Sequence, residues 1–414
     1  MASLLIKDIG KLTGLHTAET SMLRGKKLAN FPVLDDAWLL CEGDRIRSFG
    51  TMSALPTELP NDVEVISAQG GYVVPSWCDS HSHIVYAAPR EEEFVMKIQG
   101  KSYEEIAAAG GGILNSALKM ESANENDLFE NASRRLEDMI HQGTGALEIK
   151  SGYGLSMESE LKMLRVIRRL KESFPIPIKA SFLGAHTFPQ AFKNNHDGYI
   201  RQIIDQMLPA VADQGLADYM DVFCENGFFS PKETGELLTA AAKYGLKPKI
   251  HANQLAVSGG VQVGVKHQAI SVDHLEALDA AAIDCLRNSE TIATLLPSCS
   301  FYLNIPYANA RGLLNADVAV ALASDYNPGS TPSGNMNLVV SLACIKLKML
   351  PQEAFNAATI NGAAAMELSG EIGSITPGKR ANFFITRPMP SLAFLPYSFG
   401  QSQIKIIILN GKVW

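Results

Sequence analysis

The chain has 414 residues, 46% of them hydrophobic and 19% charged, with a net charge of −7 at pH 7. That length and apolar content can bury a domain of TIM-barrel size, about 250 residues, beside a smaller one. The acidic balance, with no block of Lys and Arg, argues against nucleic acid as the main partner, and no apolar run approaches the roughly 18 residues of a spanning helix, so no membrane association is expected.

Residues 1 to about 70 alternate apolar runs (Leu4-Leu5-Ile6, Ala37-Trp38-Leu39-Leu40, Val63-Glu64-Val65-Ile66) with turns such as Glu42-Gly43-Asp44, and read as short strands. From about residue 73 strands alternate with helices. The strand-like runs are eight: 73–78, 144–150, 177–183, 219–224, 247–251, 269–273, 291–296 and 317–324. Helical patterns fit 102–109, 124–141, 199–213, 232–244 and 351–367, and Leu161, Leu164, Ile167 and Leu170 recur at near-helical spacing. Eight β/α alternations over about 300 residues predict a TIM (β/α)8 barrel. After residue 370 short strands return, from Ala381 to Thr386 and from Ile404 to Leu409. Two β-rich ends flanking one barrel predict that they meet. The expected fold class is α/β: a barrel over 71–370 and a small β-sandwich-like domain built from 1–70 and 371–414. The six cysteines (41, 78, 224, 285, 299, 344) show no Cys-x-x-Cys spacing, which fits buried thiols in a reducing, cytoplasmic compartment.

The run Val73-Val74-Pro75-Ser76-Trp77-Cys78-Asp79-Ser80-His81-Ser82-His83 ends in two histidines one residue apart. Residues i and i+2 of an extended chain point the same way, so two such imidazoles can grip one metal ion. With 9 His in 414 residues a chance His-x-His is expected about 0.2 times, so the pair alone is a modest signal. It gains weight because His251, His274 and Asp325 each end a later strand-like run, and TIM-barrel sites lie at the C-terminal ends of the strands. Three His nitrogens and a carboxylate suit Zn²⁺ or iron with a position left for water. His16, His141, His196 and His267 read as surface or loop residues.

This constellation resembles the amidohydrolase superfamily. Within it, the segments Gln99-Gly100-Lys101-Ser102-Tyr103-Glu104-Glu105-Ile106 through Gly110-Gly111-Gly112, Glu148-Ile149-Lys150-Ser151-Gly152-Tyr153-Gly154-Leu155, Phe182-Leu183-Gly184-Ala185-His186-Thr187, Asp221-Val222-Phe223-Cys224-Glu225 and Ser324-Asp325-Tyr326-Asn327-Pro328-Gly329-Ser330 resemble the imidazolonepropionase family of histidine degradation. The likeness runs in order through nearly the whole chain. It implies one Zn²⁺ or Fe³⁺ per chain on His81, His83, His251 and Asp325, and substrate contacts from Arg90, Tyr153, His186, Gln254, Asn327, Gly329 and Ser330. The implied reaction is hydrolysis of the cyclic amide C–N bond of 4-imidazolone-5-propanoate to N-formimidoyl-L-glutamate. Another cyclic-amide or cyclic-amidine amidohydrolase, or a deaminase, is the alternative, though a neutral ring has less use for Arg90. A metal-free binding barrel is the remaining one, and the full ligand set argues against it.

The chemistry of these residue types is consistent with that reading. Arg90, in the first βα loop, can clamp a propanoate tail through two hydrogen bonds, unless it is merely solvated beside Glu91-Glu92-Glu93. The turn Asn327-Pro328-Gly329-Ser330 lets backbone N–H groups face an anion, though by composition it is equally well merely a turn. Gly110-Gly111-Gly112 lacks the Lys-Ser/Thr of a phosphate loop and reads as a flexible loop near the site. Glu225 and Lys150 could bridge a second metal in other amidohydrolases, but the resemblance implies a single ion. Gln254 stands where relatives often carry an acid, and it cannot take a proton. Proton transfer then falls to His274 or Asp325 as catalytic groups. A small-molecule substrate and a possible homodimer complete the expectations.

Overall fold

A computed structural model describes residues 3–60, 62–101, 105 and 111–414. The expected helix at 102–109 therefore lies, apart from Glu105, outside the described residues, as does Gly110.

Eight parallel strands form one sheet in chain order: Trp77–Asp79, Thr144–Lys150, Ile178–Ala185, Tyr219–Cys224, Lys247–Ala252, Ser271–His274, Ile292–Leu295 and Val320–Leu322. The ring closes between the first and the eighth. Asp325 N donates to His81 O at 3.0 Å, His83 N donates to Tyr326 O at 2.8 Å, and Ser82 bridges Tyr326. Closing the barrel in this way brings the loop of the His pair against the Asp loop.

Helices cover the outside. Glu125–His141 starts at an Asn124 cap whose side chain accepts from Asn126 N and Asp127 N, and it buries Leu128, Ala132, Leu136, Met139 and Ile140. That stripe, about 1.5–3 kcal/mol for each large side chain, packs on the barrel and on the next helix, Met157–Ser173. Pro231–Ala242 opens with a capping box between Ser230 and Glu233.

The two chain ends join in a second eight-stranded sheet. Its central strand, Ser3–Thr13, pairs along one edge with Val33–Glu42 and along the other with Val63–Ser67 and then Tyr72–Pro75. Tyr72–Pro75 pairs in turn with Phe383–Thr386, followed by Ile404–Leu409. Leu4, Ile6, Ile9, Leu39, Val73, Phe383, Ile385 and Ile408 form this sheet's own buried cluster.

Three expectations are corrected. The run read as one barrel strand over 73–78 serves both sheets. Pro75 has no N–H to continue a ladder, Ser76 N still donates to Asn382 O, and Trp77 N already donates to Gly143 O. The helical pattern over 199–213 starts earlier, at His196, and carries a π-helical turn over Ile203–Met207. The helix over 351–367 breaks at Thr359 (φ −120°, ψ −90°) into Pro351–Ala358 and Ile360–Ala365. No helix among the described residues is long and apolar enough to cross a membrane.

Candidate active site

The barrel interior beneath the C-terminal rim is charged. Glu148, Lys150, Asp221, Lys249 and Asp273 are fully buried there. Alternation along each strand sends Glu148 and Lys150, and Lys249 and His251, to the same inner face. Lys150 Nζ donates to Glu148 at 2.6 Å and to Asp221 at 2.7 Å, and stands 3.5 Å from Asp273. Lys249 pairs with Glu148 from the other side.

Two of those carboxylates orient histidines. Asp273 Oδ2 is 2.6 Å from His81 Nδ1, and Asp221 Oδ1 is 3.0 Å from His251 Nδ1. His83 Nδ1 faces Ser151 O at 3.4 Å. Each Nδ1 meets an acceptor and so carries the proton, which leaves each Nε2 with a bare lone pair. These lone pairs converge: His81 Nε2 to His83 Nε2 is 3.3 Å and His83 Nε2 to His251 Nε2 is 3.4 Å. Asp325 Oδ1 completes the group, 3.5 Å from His81 Nε2 and 3.8 Å from His83 Nε2.

Lone pairs turned on one another repel unless a cation lies between them. Donors around a tetrahedral Zn²⁺ at about 2.0–2.1 Å stand about 3.3–3.4 Å apart, so the donor set fits a metal of that size. Burial, reinforced by Lys150 and the neighbouring imidazoles, holds His81 well below its ordinary pKa, and burial with His251 and His186 does the same to His83. Both rings are therefore neutral and able to ligate. Burial raises Asp325, against the pull of His274 and His251. His274 ends the sixth strand with a donor atom within 4.8 Å of those of His81 and Asp325.

A cavity of about 470 Å³ opens over this centre, and all seven residues expected to contact substrate line it: Arg90, Tyr153, His186, Gln254, Asn327, Gly329 and Ser330. The structure also shows what holds them. Glu160 accepts from the N–H groups of Gly152, Gly154 and Leu155 at 3.1, 2.7 and 2.9 Å, fixing the loop that carries Tyr153. His186 Nδ1 donates to Gly152 O at 3.0 Å, and burial lowers its pKa to about 3, so its Nε2 is an acceptor only. Burial raises the Tyr153 phenol, which stays protonated.

The Arg90 expectation changes in detail. Its Nε and Nη2 fork is already paired with Glu93, at 2.7 and 2.6 Å, and Glu93 accepts in addition from Gly112 N. Neither a solvated side chain nor an open fork is found; the guanidinium is fixed at the cavity wall. The expectation that the N–H groups of Gly329 and Ser330 face an anion is not met. Both donate to Asn327 Oδ1 at 2.8 Å, so Asn327 spends its carbonyl on shaping the turn.

Glu225 accepts from Leu255 N and joins no donor cluster among the described residues, and Lys150 is held by carboxylates. The sequence reading missed Asp273 and Glu160, and gave Asp221 no role. For Asp273 the available signal was the period-two placement of charge inside apolar strands (Glu148-Ile149-Lys150, Lys249-Ile250-His251, Ser271-Val272-Asp273), since interior-facing positions alternate along each barrel strand; Glu160, on the helix Met157–Ser173, gave no such signal.

The profile of the amidohydrolase family matches residues 72–414. An imidazolonepropionase from Christiangramia forsetii is 53% identical over 411 residues, covering 99% of this chain and 100% of that protein. One from Flavobacterium johnsoniae is 53% identical over 409 residues, with 99% of each chain covered. Among solved structures, guanine deaminase from E. coli superposes with a TM-score of 0.75 at 15% identity, covering 100% of this chain and 99% of that one. An adenosine deaminase from Xanthomonas campestris with bound zinc gives a TM-score of 0.70 at 15% identity, covering 100% and 92%. The two deaminases share the fold.

Proposed function

The chain belongs to the amidohydrolase family, in its imidazolonepropionase branch, and from that premise we propose how its residues hydrolyse the cyclic amide bond of 4-imidazolone-5-propanoate, giving N-formimidoyl-L-glutamate in histidine degradation. The observation that carries the reading is the convergence of three bare imidazole nitrogens and one carboxylate at the floor of a cavity walled by a fixed arginine.

One Zn²⁺ or Fe³⁺, held by His81, His83, His251 and Asp325, would lower the pKa of water toward about 7 and polarise the ring carbonyl. The zinc of the Xanthomonas campestris neighbour supports a metal of this kind. Arg90 receives the propanoate tail from the cavity side while Glu93 fixes its plane. His186, an acceptor at Nε2, takes a ring N–H, and Tyr153 donates its phenol proton. Gln254 offers an amide to the ring. Asn327, with Gly329 and Ser330, shapes the wall beside Arg90. The attacking water must lose a proton and the leaving ring nitrogen must gain one. His274, at the edge of the centre, carries that proton, with Asp325 as the second candidate.

Six thiols without disulfide partners favour a reducing cytoplasm, and pairing of two copies through flanking helices would make a homodimer, checked by light scattering. The function is tested by following loss of the substrate's ultraviolet absorbance on adding enzyme, beside hydantoin, dihydroorotate and cytosine. Turnover of one of those three in preference to the imidazolone would overturn the assignment.

A further inference from the structure

Next to the four-donor centre lies another set of ligand atoms that the reaction does not use together. His274, Glu276 and Cys299 each present one, and the three lie within 4.8 Å of one another. They come from neighbouring connections: His274 ends the sixth barrel strand, Glu276 follows two residues later, and Cys299 sits in the helix Pro297–Leu303 after the seventh. His274 and Leu275 both have positive φ, 87° and 68°, a conformation L-residues adopt only when the surroundings enforce it. That turn places the Glu276 carboxylate beside the imidazole.

The pair does not bond. His274 Nδ1 is 3.6 Å from Glu276 Oε1, beyond hydrogen-bond range, although both side chains are only 3% exposed. His274 Nδ1 and Glu276 Oε2 are buried with no hydrogen-bond partner among the described residues. Glu276 Oε1 accepts from Ser300 Oγ at 3.2 Å, and Cys299 Sγ accepts from Gln254 Nε2 at 3.5 Å. A buried imidazole and a buried carboxylate held 3.6 Å apart, at ion-pair distance but without a hydrogen bond, leave a gap between their donor atoms that a cation displacing the imidazole proton can fill.

We propose that His274, Glu276 and Cys299 form a second cation site, for a borderline-soft divalent ion such as Zn²⁺ or Co²⁺. One nitrogen, one oxygen and one sulfur exclude Mg²⁺ and Ca²⁺, which take oxygen, and suit zinc-like ions. Such donors stand about 3.4–3.7 Å apart around a tetrahedral ion, so side-chain shifts of about an ångström close the set. The ion enters through the catalytic cavity, which His274 lines. Binding replaces the thiol proton, which goes to solvent. Once Nδ1 is ligated His274 no longer exchanges protons freely, so the filled site inhibits. That consequence rests on the role given to His274 above; binding of the ion does not.

The test is titration of metal-free protein with Co²⁺. The first equivalent enters a centre of nitrogen and oxygen donors and gives no sulfur signal. The second should bring up a thiolate-to-cobalt charge-transfer band in the near ultraviolet. Cys299→Ser, with the other five cysteines kept, should abolish the band and weaken the second equivalent at least tenfold by calorimetry, and Glu276→Gln should weaken it without touching the first. Turnover of the wild type should fall with the second equivalent, and that of Cys299→Ser should not. Binding of a single equivalent, or a band that survives Cys299→Ser, overturns the site and leaves a water in the gap. A band without loss of turnover keeps the site and overturns the proton-carrying role of His274.

Discussion

Gly329 packs directly on the Arg90 guanidinium: a Cβ built on the glycine would lie 2.7 Å from Cζ. Lys97 Nζ donates to the Gly329 carbonyl at 3.0 Å, so the wall is fixed from two sides, with Glu93 holding the fork. Gly329→Ala must push the guanidinium away. The expected result is a KM at least tenfold higher with a smaller change in kcat and an unchanged melting temperature. Arg90→Ala should cost about 2–5 kcal/mol in kcat/KM, the range for truncating one partner of a buried charge pair, and should do so only for substrates bearing the carboxylate. Equal losses with and without the tail would remove Arg90 from that role.

Dialysis against a chelator should abolish turnover, and one equivalent of Zn²⁺ or iron should restore it. His83→Ala and Asp325→Ala each break the four-donor set and should lose both tight metal and activity, read by elemental analysis alongside the rate. Full activity in either variant, or after chelation, would refute the assignment of the centre.

Asp273 bonds His81 and stands clear of the cavity, so Asp273→Asn tests its orienting role. An amide can turn its NH₂ toward Nδ1 and so favour the wrong tautomer. Metal affinity is expected to fall about 10–100-fold, while Km for whatever activity remains at saturating metal stays near the wild-type value.

His274→Asn should keep the first metal and reduce kcat by about 10²–10⁴, the usual loss for general acid–base catalysis. Burial lowers the pKa of His274, but Glu276, Asp325 and Asp273 outweigh it and raise the pKa above its ordinary value. A base must be unprotonated, so kcat falls as pH drops through that raised value. Removing the Glu276 charge lowers the pKa, and Glu276→Gln should therefore move the acidic limb to lower pH. A limb retained in His274→Asn would assign the proton to Asp325.

Lys150→Met should destabilise the fold by about 3–5 kcal/mol in chemical denaturation, the cost of leaving buried carboxylates without their partner. Glu148, Asp221 and Asp273 lose one ammonium together. A midpoint within error of wild type would show that Lys249 alone compensates them.

Much of this was legible in the chain. Strand and helix periodicity is local, so eight β/α alternations announced the barrel, and His81, His83, His251 and Asp325 stood out because candidate ligands at strand ends can be found by counting strands. Tyr153, His186 and the Asn327 turn came with motif resemblance, and the cavity does gather them. What periodicity could not resolve was the course of the chain at Ser76, where one apolar run changes sheets, because apolar residues suit either sheet and only the pairing partner differs.

The amino-acid sequence by itself determined the barrel, its rim residues and the family, because those follow from local pattern and motif order. Only the tertiary structure decided that Asp273 belongs to His81 and Asp221 to His251, that Glu93 occupies the Arg90 fork, that Asn327 consumes two backbone donors, and that His274 and Glu276 lie together unbonded. Each of these is a pairing between groups that several partners could satisfy. Hydrogen bonds act over about 3 Å, and which partner comes that close is fixed by how strands register and loops close over the barrel, which no local pattern encodes.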